Sequence, residues 1–399
     1  MSAVAAAPRD RLAGWCGWVV ATVLALTPLV GWLGPLGLPI LIGVAGLAGL
    51  PTLRISDEDR PIVVLLLAAL LWAAVSSLWS PFHPTKIDHN TAAKLGLQAP
   101  LYWAAICAAR RADPQLKQAA LLAFALGSAL FGVVLLAEAA TDAGLYERLH
   151  FAFYQPIRHD FAEVNIGHAS FVLALIWPLA LAAAWKTRLS GWVALAMVLG
   201  VLAAAIRFGS DAPVISVPLA AIVFLAAWRW PSGAPKVLAW LAAAYWLLAP
   251  AMVVALKESG RYEAIQQAIP LSWSMRMGFW SHAVEWMRDH PMRGWGLDAS
   301  RVFGPGIILH PHDDALQVWL ELGAAGAGLA AALWWLALRR LARPASNLAT
   351  AGAAASASVY LLFGALNFGA WQEWWLALGA LLVMLVSLIA APLPAQAST

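Results

Sequence analysis

The sequence predicts an all-α polytopic membrane protein, and three observations carry that expectation. Of the 399 residues, 62% are hydrophobic and only 12% charged, more apolar surface than a soluble domain of this size has room to bury. The apolar residues fall in repeated runs of roughly 17–22, the length a helix needs to cross a hydrocarbon core of about 30 Å. The 23 Trp residues often stand near the ends of those runs (Trp15, Trp79, Trp185, Trp230, Trp371), where an amphipathic ring suits the membrane interface. Backbone in lipid must satisfy its own hydrogen bonds, so each run is read as a helix.

In chain order the expected spans are 14–31, 34–53, 61–79, 94–109, 117–138, 167–185, 191–206, 213–229, 236–256, 313–338, 349–367 and 372–391, about twelve in all. Arg9 and Arg11 precede the first run and no small-x-small cleavage site follows, so it reads as an uncleaved span. Cys16 and Cys107 lie in separate spans, which suggests neither a disulfide framework nor a zinc–thiolate site. Orientation follows from the loops. With the N-terminus in the cytoplasm, Arg9, Arg11, Arg54, Arg60, Arg110, Arg111, Lys117, Lys186, Arg188, Arg229, Lys236, Arg339, Arg340 and Arg343 fall on that side. They outnumber the acidic Asp10, Asp57, Glu58, Asp59 and Asp113 there, as the positive-inside rule requires, and both termini are expected to be cytoplasmic. The pI of about 9.2 follows from this topology. No basic stripe interleaved with aromatics points to nucleic acid.

Three regions result. Residues 1–256 carry nine spans with an outer loop at 139–166, 257–312 form a large outer loop, and 313–399 carry the last three spans. Loops longer than roughly 12–15 residues are usually functional or disordered, and this one has helical patterning. RYEAIQQAI (261–269) reads as a short helix. In LSWSMRMGFWSHAVEWMRDHP (271–291), Met277, Phe279, Trp280, Ala283, Val284 and Met287 recur at helical spacing. Ser272 or Ser274 could cap that helix, Pro291 ends it, and its apolar face suits the membrane interface. A glycine-rich turn, GWG (294–296), follows.

The candidate chemistry gathers in HPHDDALQVWLELG (310–323). Asp313 or Asp314 stands where an N-cap is expected. Asp314, Gln317 and Glu321 share one helix face, and Glu321 lies about two turns inside the span. An ionisable residue at that depth is either functional or hydrogen-bonded to a neighbouring helix. His310 and His312 with the aspartates are weak as a metal site, because no third His is near and the H-E-x-x-H spacing is absent. A surface histidine suits proton transfer. Arg276 and Arg301 in the long loop, and Arg207 in IRFGSDAP, are outward arginines that could grip phosphate oxygens. Gly323, Gly326 and Gly328 read as a surface for close helix packing. With no P-loop and no Rossmann glycine pattern, the substrate would have to arrive activated, and a phosphorylated lipid fits.

SWSMRMGFWSHAVEWMRDHPMRGWGLDASR…HPHDDALQVWLELGAAGAG (272–328) resembles the signature region of the O-antigen ligase and O-antigen polymerase superfamily. That pattern is an Arg followed by an aromatic-rich helix, P-x-x-G-W-G, and H-x-H-N opening a span with L-Q…E-x-G. The resemblance implies a GT-C-like fold and a metal-independent, inverting glycosyltransferase of the bacterial inner membrane, working without a cofactor. The implied donor is a glycan on undecaprenyl pyrophosphate, and the implied acceptor is lipid A-core or a growing glycan. It makes the 257–312 loop periplasmic, His312 the base, and Arg276 a pyrophosphate ligand, with Arg207 the nearest match to a second arginine. Arg301, His310, Asp313, Asp314, Gln317 and Glu321 are the expected substrate contacts beside them. Two departures stand out: Asp313 replaces the usual Asn, placing a charge that would raise the pKa of His312, and IRFGSDAP replaces a serine-arginine-glycine type. A polymerase or a protein O-oligosaccharyltransferase shares the same expectations. A transporter of lipid-linked glycan is the alternative of another class, but no internal repeat is evident and the polar groups sit at the outer mouth rather than at midplane.

Overall fold

The computed structural model describes residues 10–185 and 187–390, so Arg9 and Lys186 of the basic set lie outside it. Fifteen α-helices follow one another, with no strand among the described residues. The first five are α1 (Arg11–Leu33), α2 (Leu38–Gly49), α3 (Arg60–Ser76), α4 (Thr91–Arg111) and α5 (Pro114–Thr141). Next come α6 (Gly144–Phe153), α7 (His159–Ala184), α8 (Ser190–Arg207), α9 (Asp211–Arg229) and α10 (Ala234–Glu258). The last are α11 (Tyr262–Ala268), α12 (Leu271–Met287), α13 (Asp314–Arg339), α14 (Leu348–Leu366) and α15 (Glu373–Ile389).

The protein is thus an all-α polytopic membrane protein. Among the described residues nine helical stretches are long and apolar enough to cross a membrane, where the sequence suggested about twelve. The difference lies in three helices. α3 and α15 have 17 residues each, about 25 Å of rise. α4 carries Lys94, Gln98, Arg110 and Arg111 and is too polar to stand with the nine.

Two compact units form. The first is Met1–Arg54, Pro100–Val214 and Ala377–Thr399; the second is Ile55–Ala99 and Ile215–Leu376. In the first, small residues let α5 and α8 touch backbone to backbone: a Cβ on Gly132 would stand 2.3 Å from the Ala196 carbonyl oxygen. Glu138, fully buried in α5, accepts from Trp32 Nε1 at 2.8 Å and from the Leu145 amide at 3.2 Å, so its carboxylate is not left bare.

The second unit is built around α13, which is broken. Gly323 has φ 65° and ψ −166°, so the helix stops after Leu322 and restarts at Ala324. In an unbroken helix the carbonyls of residues 320 and 321 would accept the amides of 324 and 325. Here the loop 291–296 takes over both sides. Leu320 O accepts from Trp295 N at 2.9 Å and Glu321 O from Gly296 N at 2.7 Å. Ala324 N donates to Pro291 O at 2.9 Å and Ala325 N to Met292 O at 3.3 Å. The Leu322 carbonyl accepts from Trp72 Nε1 of α3 at 2.9 Å. Gly294 is needed for the approach, since at φ 68° a Cβ would fall 2.3 Å from the Glu321 carbonyl carbon. Gly323 is therefore a left-handed break rather than the helix-packing residue that the Gly323, Gly326, Gly328 spacing suggested. Gly328 meets nothing within 4 Å.

α12 also departs from expectation. Met277, Phe279, Ala283, Val284 and Met287 are buried in one core with Trp246, Leu316 and Leu320, so the apolar face is covered by protein rather than offered to the interface. Neither serine caps it: Pro270 stands at the cap and the helix ends at Met287, before Pro291.

Gly323→Ala is expected to lower the thermal midpoint in detergent sharply, since the left-handed backbone alone costs about 1–3 kcal/mol and the new Cβ would lie 2.4 Å from Met292 backbone. Gly328→Ala, in open space on the same helix, should leave that midpoint unchanged or raise it, by about 1 kcal/mol at most.

Candidate functional site

Asp313 has an extended backbone (φ −150°) and its Oδ1 accepts from Leu316 N at 2.8 Å, so it is the N-cap of α13, and Asp314 is the first helical residue. Tyr245 of α10 donates its hydroxyl to Asp313 Oδ1 at 2.8 Å, with Asp314 Oδ1 3.3 Å away. Burial pushes the Asp313 carboxyl up to about 7. Asp314 is buried against α14 in space left by Gly364, where a Cβ would come within 2.2 Å of its Oδ2.

One turn further, Gln317 Nε2 donates to Glu321 Oε1 at 3.1 Å, and Gln317 Oε1 accepts from Ala370 N at 2.9 Å. The fully buried Glu321 carboxylate also accepts from Trp371 Nε1 at 2.6 Å, Asp298 N at 3.0 Å and Ser300 Oγ at 2.6 Å. Four donors on one carboxylate tie the turn after GWG, the broken helix and the 367–373 turn to a single point. Asp314, Gln317 and Glu321, expected as substrate contacts, all find their partners inside the protein.

His312 is in the left-handed region (φ 58°). Its Nδ1 lies 2.9 Å from the Asn367 carbonyl oxygen. A carbonyl only accepts, so Nδ1 carries the proton and Nε2 keeps its lone pair. The ring stacks on Phe279 of α12 at 5.9 Å between centroids and lies tilted against His310 at 4.2 Å. Burial lowers the pKa of His312, and the Arg276 charge lowers it further against the opposing Asn367 contact. The rise expected from Asp313 does not occur, because that carboxyl faces Tyr245 and the helix N-terminus.

His310 holds the next position. Its Nδ1 accepts the His312 amide at 3.1 Å, which leaves the proton on Nε2, 3.1 Å from the side-chain amide of Gln372. The amide nitrogen faces it there, and turning the amide over presents the buried Oε1, otherwise without a hydrogen bond, as the acceptor. Burial pushes the imidazole down to about 3, with His312 and Arg301 adding to the effect, so His310 is neutral. Trp280 Nε1 donates to Pro311 O at 3.1 Å and fixes the loop between the two histidines onto α12.

Arg276 lies on α12, half-buried, its guanidinium 5.1 Å from the Trp273 ring centre. Arg301 is more exposed; its Nε donates to Asp298 Oδ1 at 2.9 Å and its guanidinium lies over Phe82 at 5.4 Å. Arg207 belongs to the first unit, at the end of α8, where it pairs with Asp142 Oδ1 at 2.5 Å. The residues missed by sequence reasoning are Tyr245, Ser300, Asn367, Trp371 and Gln372. Two signals were available: the lone hydroxyl in the apolar run AAAYWLL, and Gln372–Glu373 set among tryptophans in WQEWW.

A carboxyl held above its unfolded value binds its proton more tightly in the folded chain, so Asp313 contributes stability below the ordinary carboxylate range and loses it as pH rises through about 7. The thermal midpoint in detergent should fall between about pH 4 and pH 7, and Asp313→Asn, which keeps the cap, should flatten that fall.

Comparison with known proteins bears on this same stretch. Residues 196–331 match the family model described as O-antigen ligase. Proteins whose names give them provisionally as polysaccharide ligases align over 21–29% of the chain. Those of Rickettsia conorii and Rickettsia prowazekii are each 26% identical, over 131 and 132 residues, and that of Rickettsia typhi is 32% identical over 132 residues. Each match covers 29% of this chain and 32% of the relative, so the alignment spans about a third of the relatives' length. The resemblance to the O-antigen ligase superfamily is therefore shown over residues 196–331, the stretch that holds the broken helix, most of the loop and turns that close on it, and the two histidines before it.

Proposed function

We propose that this protein is a glycosyltransferase that moves a glycan from undecaprenyl pyrophosphate to an acceptor hydroxyl at the periplasmic face of the inner membrane, acting as an O-antigen ligase on lipid A-core. The observation that carries the reading is His312: a half-buried, neutral imidazole with Nδ1 locked on the Asn367 carbonyl and Nε2 left as a base, within electrostatic reach of Arg276.

In the proposed step, Nε2 of His312 takes the proton of the acceptor hydroxyl as its oxygen attacks the anomeric carbon. The bond from that carbon to the pyrophosphate oxygen breaks, with inversion, and the departing pyrophosphate keeps the electron pair. Arg276 and Arg301 meet the charge that develops on it. Arginine suits this role because it stays ionised when partly desolvated and offers paired donors. No metal or cofactor takes part in the step. His310, Gln317, Glu321 and the two aspartates hold the base and the helix start in place. The names of the relatives, polysaccharide ligases, favour a ligase over a polymerase.

Transfer from a lipid-linked donor to lipid A-core, followed in detergent or proteoliposomes, tests the reading. His312→Ala and Arg276→Ala should each lower the rate by about 100-fold or more with folding retained. Undiminished turnover in both variants would refute these roles, and a growing glycan accepted in place of lipid A-core would identify a polymerase. Because the pKa of His312 is lowered, the rate should stay level near neutrality and fall only below the ordinary imidazole range.

A further inference from the structure

A second group of ionisable side chains lies wholly within the first unit, in and beside the 139–166 segment. α5 ends at Thr141, and Asp142 caps it in the left-handed conformation (φ 59°). α6 supplies Glu147, and the first turns of α7 supply His159 and Glu163, four residues apart and so on one helix face. His159 Nε2 stands 3.7 Å from Asp142 Oδ2 and 3.5 Å from Glu163 Oε1. One nitrogen and one oxygen from each carboxylate lie within 4.8 Å of one another. Ligand atoms at about 2.0–2.2 Å from one ion stand roughly 3–3.5 Å apart, so small side-chain rotations bring the three to one centre.

Three further features favour a cation there. Glu147 Oε1 lies 2.7 Å from His159 Nδ1, which fixes the ring and turns Nε2 toward the other two carboxylates. A carboxylate on the far nitrogen is the usual orienting partner of a metal-bound histidine. Arg207 holds Asp142 by Oδ1 at 2.5 Å, leaving Oδ2 to face His159. All four residues of the cluster are partly exposed, so water could complete a coordination shell.

We propose that Asp142, His159 and Glu163 bind a divalent first-row transition-metal ion, with Glu147 and Arg207 orienting the ligands. One imidazole and two carboxylates without a thiolate suit zinc, cobalt or manganese better than copper(I). The ion would join the end of α5 to the start of α7. The site shares no residue with the one at the head of α13, so it stands or falls apart from the transfer reaction.

The full chain, tag-free in detergent and stripped of metal by a chelator, is titrated with zinc against a chromophoric chelator and separately with cobalt. Saturable uptake of a single zinc equivalent is expected, and a visible cobalt spectrum without a thiolate band. His159→Gln and Glu163→Gln should each weaken uptake by more than tenfold, and Glu147→Gln by about 10–100-fold. The cobalt spectrum of the wild-type chain keeps the question open to decision if a variant fails to fold. Absence of saturable uptake, uptake unchanged in His159→Gln and Glu163→Gln, or uptake lost only in His312→Gln would overturn the proposal. A cluster stabilised by low pH alone, and indifferent to zinc, would be a protonated histidine among carboxylates and would overturn it too.

Discussion

The second unit depends on one constraint: backbone groups inside a membrane protein must be paired. Breaking α13 at Gly323 releases carbonyls at 320–322 and amides at 324 and 325, each costly if left bare away from water. The loop 291–296 answers four of these groups with its own backbone, and Trp72 answers a fifth. Because the pairing is backbone to backbone, it needs close approach, and glycine at 294 and 323 permits it. The P-x-x-G-W-G run is thus the backbone partner of a broken helix. Trp295 is anchored as well, its indole donating to Trp286 O at 2.8 Å, which joins the loop to the end of α12.

The break also explains how Glu321 can sit fully buried in a span. It belongs to a nine-residue half-helix whose flanks are loop and turn, and these supply amide, hydroxyl and indole donors that an unbroken bundle of apolar helices would lack. The same half-helix places its N-terminus under Asp313, and the residue just before the cap is His312. The half-helix thus fixes where the chain leaves His312, while the Asn367 carbonyl and the Phe279 ring hold the imidazole and burial keeps it neutral.

Much of the fold was legible in the sequence, because apolar run length and tryptophan placement report directly on the solvent each segment meets. The short helix at 261–269 and the cap at 313 were legible for similar reasons of local pattern. The break was not. Gly323 among Gly326, Gly328 and alanines has the composition of a packing stripe, and only the approach of a loop some thirty residues upstream distinguishes the two. Asn367 was illegible in principle, since it contributes a backbone carbonyl. The burial of α12 was hidden because an amphipathic face looks the same whether lipid or protein covers it. For Asp313, sequence reasoning placed a charge beside His312; the structure shows where the side chain points, and that decides its effect.

The pairing of 291–296 with 320–325 has a consequence for how this chain can vary over evolutionary time. At Met292 and Arg293 substitution is cheap, because their side chains make none of these bonds. A change of length is not. Adding or removing one residue between Pro291 and Gly296 would move every donor and acceptor by one place, and the glycines would no longer face the positions that require them. Positions 292 and 293 should therefore drift in letters while the stretch holds its count and its G-W-G, and related chains should be aligned there by spacing as well as by identity.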